Sequence, residues 1–206
     1  MIDDDFDDIL NEPDPEAHLY GIVYLDPPWQ YDADQAISRA ATAQMIYPTM
    51  TMEEMEKLPI LEITRQNSLM FMWVVSPMLK EGISLGESLG FEYRTVAFVW
   101  EKGRTNAGFY TQSSVELCLV FKRGNIPHPR GSRKERQFVQ EPKSFHSKKT
   151  EEVRKRIERM FPLQKKIELF CRDQIPDWTT WGNQSLCSDE FVSKTFEAHG
   201  FSAGLK

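Results

Sequence analysis

The chain has 206 residues, 40% hydrophobic and 27% charged, with a net charge of −6. That length carries one domain with a substantial core, and no apolar run is long enough to cross a bilayer as a helix. The acidic N-terminus argues against a secretory signal, and three cysteines without metal-ligand spacing (Cys118, Cys171 and Cys187) fit a reduced, cytoplasmic protein with no bound metal. Residues 1–34 hold 11 Asp/Glu and no Lys/Arg, whereas residues 102–172 hold 18 Lys/Arg against 7 Asp/Glu. A basic segment in an acidic protein is a candidate polyanion-binding face. The plainer alternative is a solvated helix and loops whose charges point several ways.

In chain order, residues 1–18 read as a flexible acidic leader, ahead of a single domain over 19–206. Residues 19–25 form an apolar, β-branched run that predicts a buried strand. Residues 30–50, rich in small side chains, read as a mobile loop. Thr51 is a candidate N-cap for a short helix with Glu53 and Glu54 in its first turn. A second buried strand spans 68–75, and a helix over 78–89 stops at Gly90. The aromatic and β-branched segment 93–100 predicts a strand, 102–114 a loop and 115–122 a strand. Residues 123–149 read mostly as loop. Thr150 caps a helix running to about Phe161, with Glu151 and Glu152 at its start and Arg156 and Arg159 near its end. Short strands at 166–171 and 178–181 precede a helix over 188–199 closed by Gly200. Buried strands alternating with helices predict an α/β fold: a mostly parallel sheet with helices on both faces. Ligands in such sheets sit beyond the carboxyl ends of the strands.

The first strand ends in Asp26-Pro27-Pro28-Trp29. Consecutive prolines hold φ and keep the residue before each of them extended. The tip is therefore stiff and offers acceptors: the Asp26 carboxylate and the carbonyls of Asp26 and Pro27. Trp29 adds a flat ring. A planar amine on a heteroaromatic base has two N–H bonds to donate and a face to stack, which suits such a site. The bland alternative is a proline-stiffened turn with Trp29 in the core.

Further blocks follow in order: Tyr47-Pro48-Thr49-Met50, Phe71-Met72-Trp73-Val74, Glu116-Leu117-Cys118-Leu119-Val120, and His146-Ser147-Lys148-Lys149-Thr150-Glu151-Glu152. Ile157-Glu158-Arg159-Met160, Lys166-Ile167-Glu168-Leu169-Phe170-Cys171-Arg172 and Trp178-Thr179-Thr180-Trp181-Gly182-Asn183-Gln184 complete the series. From about Tyr20 to Gln184 this resembles the MT-A70 family of S-adenosylmethionine-dependent adenine N6 methyltransferases. That family includes the catalytic subunit of the eukaryotic mRNA enzyme and many bacterial and phage DNA methyltransferases. The resemblance implies a Rossmann-like methyltransferase fold in permuted order, with the catalytic motif first and the cofactor strand late.

It also implies roles. Asp26, Pro27, Pro28 and Trp29 form the catalytic motif, with the Asp26 carboxylate and Pro27 carbonyl on the adenine amine. Trp29 and Tyr47 stack on the base, and Glu116 orders the target loop or touches the substrate. The cofactor, S-adenosylmethionine, lies against Leu25, Asp26, Lys149 (or its neighbour Lys148), Arg172, Asn183 and Gln184. Gln174 stands in a shorter connection than the eukaryotic enzyme carries. The basic stretch Arg123 to Lys143 is placed to track phosphates. The expected activity is methylation of adenine N6 in DNA, inside a bacterial or phage-infected cell, with no membrane contact and a dimer as one possible assembly. The same reaction on RNA, and a catalytically silent nucleic-acid-binding partner subunit, are the competing readings. A nicotinamide enzyme is disfavoured because no Gly-x-Gly-x-x-Gly follows a strand.

Overall fold

The computed structural model describes residues 14–30, 49–106, 110–142, 149–182 and 185–203. Their elements are β1 (Tyr20–Leu25), α1 (Met52–Met55), α2 (Ile60–Ile63), β2 (Thr64–Val74), α3 (Leu79–Ser88), β3 (Glu92–Asn106), β4 (Ser113–Arg123), β5 (Phe138–Gln140), α4 (Glu151–Met160), β6 (Lys166–Leu169), β7 (Thr179–Trp181) and α5 (Glu190–Ala198). The seven strands make one sheet in the order β5-β3-β4-β2-β1-β6-β7. β1 pairs in parallel with β2 and β6, β6 with β7, and β3 with β5. β4 alone runs the other way, antiparallel to both β2 and β3. This is the α/β, Rossmann-like sheet expected, with the Asp26 strand first in the chain and central in the sheet.

Two cores follow from the alternation of side chains along the strands. Val23, Leu25, Met70 and Met72 face one way, under α1, α2, α3 and α5, which contribute Met55, Ile60, Ile63, Leu85, Val192 and Phe196. Ile22, Tyr24, Phe71, Trp73, Phe98 and Trp100 face the other way, under α4. Val153, Ile157 and Phe161 supply that helix's apolar stripe at four-residue spacing.

Several boundaries differ from the sequence reading. β2 begins at Thr64, four residues earlier, behind the short helix α2. The N-cap of α5 is Asp189, which accepts from the amides of Phe191 and Val192. The segment expected to be a loop from 102 is strand as far as Asn106, because β3 continues beside β4 past Trp100. β5, inside the stretch read as mostly loop, adds a parallel edge to β3. The predicted caps at Thr51 and Thr150 are present, Thr51 in a reciprocal box with Glu54. The part of the acidic segment from Asp14 is tied to the domain. Asp14 pairs with Arg65 at 2.7 Å, and Glu16 accepts from the Gln66 amide.

Candidate active site

Strand register brings the site together. Leu25 lies opposite Met72 on one side and Leu169 on the other, so Asp26 emerges at the carboxyl tips of three parallel strands. Because β4 is antiparallel, its beginning reaches the same rim: Trp73 faces Cys118, and Trp100 faces Glu116. Lys149 arrives from the residue before the Thr150 cap of α4.

These elements form a ladder of alternating charge. Asp26 Oδ2 lies 2.8 Å from Lys149 Nζ, which lies 3.2 Å from Glu116 Oε2. The other Glu116 oxygen accepts from Lys102 Nζ at 3.2 Å. Beneath it, the Trp73 ring lies 5.7 Å from the Lys149 ammonium and packs edge-to-face on Trp100 at 6.0 Å. Tyr24 closes this floor, accepting from Trp73 Nε1 at 2.6 Å.

Burial pushes the Asp26 carboxyl above its ordinary range, opposed by the Lys149 ammonium. For Glu116, burial also pushes upward, but Lys149 and Lys102 outweigh it and its pKa falls. For Lys149, burial favours the neutral amine, yet Asp26 and Glu116 prevail and hold it protonated well above the usual lysine range. The ladder therefore rests with Lys149 charged and Glu116 ionised, while Asp26 is the member most easily neutralised.

A small cleft of about 50 Å³ adjoins it, lined by Asp26, Trp73, Lys149, Arg154, Phe170 and Arg172 among others. The positive field of Arg172 also reaches Asp26. A wider depression of about 1000 Å³ lies toward the opposite ends of the strands, over Phe71, Phe98, Arg94, Lys122 and Arg130. It contains none of the residues read from the sequence as catalytic.

Of the expected site residues, Asp26, Glu116, Lys149 and Arg172 converge. Tyr47, Lys148, Asn183 and Gln184 lie outside the described residues. Leu25 is fully buried with its side chain on the α3 face, so a donor would reach its main chain only. The Pro27 carbonyl accepts from the Trp29 amide at 2.9 Å and the Pro28 carbonyl from Met50; each oxygen retains a second lone pair. Trp29 is 6% exposed and packs in the core beside Met50, as the plainer reading of the motif has it. The physical reason is the turn at Pro27, which sends the chain to the other face of the sheet after Asp26. Gln174, between β6 and β7, donates to the Leu186 carbonyl in the connection from β7 to α5. Lys102, Trp73 and Tyr24 were missed. The signal for Lys102 was its two-residue spacing from Trp100, hidden by reading 102–114 as a loop.

The sequence profile of the MT-A70 family matches residues 20–184. The chain belongs to the MT-A70 family. Among MT-A70-related proteins, the type II methyltransferase M.MunI of a Mycoplasma species is 40% identical over 178 residues, covering 79% of this chain and 76% of that protein. The N(6)-adenosine-methyltransferase catalytic subunit METTL3 of Homo sapiens is 31% identical over 180 residues, covering 80% of this chain and 28% of that protein. The Arabidopsis thaliana N(6)-adenosine-methyltransferase MT-A70-like protein is 29% identical over 177 residues, covering 80% and 24%.

Proposed function

We propose that this chain transfers the methyl group of S-adenosylmethionine to the exocyclic N6 amine of adenine in DNA, with Asp26 as the residue that receives the amine. Membership in the MT-A70 family makes it an adenine N6 methyltransferase. The observation that carries the site assignment is the meeting of Asp26, Lys149, Glu116 and Arg172 at the strand tips. The choice of DNA rests on M.MunI, a type II methyltransferase that this chain matches over most of both lengths. Among the described residues no helix is long and apolar enough to cross a membrane.

The cleft suits the donor by its chemistry. Lys149 and Arg172 offer positive charge to a carboxylate, and the half-buried Phe170 offers apolar surface to a nucleoside. When bound, S-adenosylmethionine supplies an electrophilic methyl group. Asp26 then accepts an N–H of the amine and holds the proton that leaves the nitrogen. An adenine amine is a weak nucleophile because its lone pair is delocalised, so an acceptor aimed at its N–H stabilises the charge that develops there. The Pro27 carbonyl, through its second lone pair, serves the other N–H. Fixing the amine at the stiff strand tip replaces an entropic cost of bringing reactants together. A base in a duplex reaches this notch by flipping, or the enzyme acts on single strands.

Among the described residues, exposed Arg133, Lys134 and Arg136 are the members of the basic stretch placed to meet phosphates. Arg123 is spent on the carbonyls of Leu61 and Thr64, and Arg130 stacks over Phe161. The test is to supply methyl-labelled S-adenosylmethionine with duplex DNA, single-stranded DNA and RNA, then digest to nucleosides. Label in N6-methyladenine from DNA is expected. Label confined to RNA would replace the polymer, and no label in adenine from any arm would overturn the reading.

A further inference from the structure

Lys102 is a cation with nowhere to go but inward. It is 5% exposed, and among the described residues its ion-pair partner is Glu116. An ammonium taken out of water is tolerated only when paired and hydrogen-bonded. Lys102 holds Glu116 by Oε1, leaving Oε2 to Lys149. Lys149 in turn bonds Oδ2 of Asp26, the carboxylate that the incoming amine would meet. When an amine takes its place on the Asp26 carboxylate and displaces Lys149 from it, Glu116 Oε2 is the partner that Lys149 keeps.

We propose that Lys102 is a positioning residue for methyl transfer: by pinning one oxygen of Glu116 it keeps that carboxylate in place and ionised as the resting point for Lys149 when Asp26 is released. This rests on the reading of the ladder as the methyl-transfer site. With Lys102 gone, the Glu116 carboxylate is free to turn, and burial drives it toward the neutral acid, which holds an ammonium far less well. The charged and titratable groups facing Glu116 are Lys102 from β3, Lys149 from the approach to α4, and Asp26 from the tip of β1. Glu101, beside Lys102, turns its carboxylate to the Gly103 amide. Burial keeps the Cys118 thiol, two residues along β4, in its neutral form.

The test compares Lys102→Met with Lys102→Arg. The Glu116 carboxylate is titrated by carbon-13 NMR in the protein without donor or substrate, and methyl transfer is measured against pH. In Lys102→Met the carboxylate should titrate at higher pH than in the parent, and the acid limb of kcat should move up with it. At neutral pH kcat should fall between about tenfold and a hundredfold, the scale of loss when a positioned group is misplaced, with KM for the donor changing much less. Lys102→Arg should restore both the titration and the limb. An unmoved Glu116 titration in Lys102→Met overturns the proposal, as does an equal loss in both variants with an unmoved acid limb. If Lys102→Met does not fold, Lys102→Met/Glu116→Gln removes both charges of the pair; its acid limb should match that of Glu116→Gln alone, and a further displacement overturns the proposal. The NMR titration does not depend on turnover, so a parent protein that methylates no adenine would remove the functional reading while leaving the electrostatic link measurable.

Discussion

Both faces of the sheet end at the same strand tips, yet they are finished differently. On the face under four helices, Leu25 and Trp29 continue an apolar layer that closes over the tips. On the face under α4, an aromatic floor of Tyr24, Trp73 and Trp100 stops short, and its rim carries Asp26, Lys149, Glu116 and Lys102. The Asp-Pro-Pro-Trp turn straddles the two: its first residue belongs to the charged rim and its last to the packed layer. A single short motif thus serves chemistry at one end and folding at the other.

Substitutions at its two ends should separate those duties. Asp26→Ala should lower methyl transfer by about 10²–10⁴-fold, the range for a positioned acid–base group. Calorimetry with S-adenosylhomocysteine should show binding largely kept, and near-normal turnover would remove Asp26 from the mechanism. Trp29→Ala should instead cost about 3–5 kcal/mol of stability in urea unfolding, as for other buried aromatics cut to alanine. A fully stable variant with impaired turnover would restore Trp29 to the base-binding surface.

The next effects are smaller. Gly182 leaves no room for a side chain, since a Cβ would meet the Cys171 carbonyl oxygen at 2.3 Å. Gly182→Ala should therefore lose about 1–3 kcal/mol, measured by thermal unfolding, and a neutral result would show that the β6–β7 junction can open. Lys149→Met should move the acid limb of kcat upward, because burial is then opposed only by the weaker pull of Arg172 on Asp26 and by Lys102 on Glu116. The sign for stability differs by group. The contribution of Glu116, whose pKa falls on folding, is present above the ordinary glutamate value of 4.5 and is lost as pH drops through the folded value. The contribution of Asp26, whose pKa rises, is present below 3.8 and is lost as pH climbs through its folded value. That of Lys149 is present below 10.5 and is lost only above it. A pH profile unchanged in Lys149→Met would break the ladder as a coupled unit.

The smallest test compares two caps. Thr51→Ala and Thr150→Ala should each cost about 1 kcal/mol. Only Thr150 adjoins Lys149, so only its change should also depress turnover. Equal turnover in both would show that Lys149 does not depend on how α4 begins.

Local signals were the legible ones. Caps at Thr51 and Thr150, the breaks at Gly90 and Gly200, and the apolar runs of β1 and β2 were readable because each depends on neighbours in the chain. The convergence of Asp26, Lys149 and Arg172 came from motif order, and the structure brings them to one cleft. What escaped depends on partners far along the chain. β3 runs past Trp100 because β4 lies beside it, despite Gly103 and Asn106 in its sequence. Lys102 is tolerable inside only because Glu116, fourteen residues on, meets it. The side on which Trp29 falls is decided by its bridge to Met50, which no nearby periodicity announces.

The reversed direction of β4 has an evolutionary consequence. The junction between β3 and β4 opens on the same side as the reactive tip, while the pairing that holds Glu116 begins further in. Lengths and sequences at that junction are free to diversify without disturbing the reactive groups.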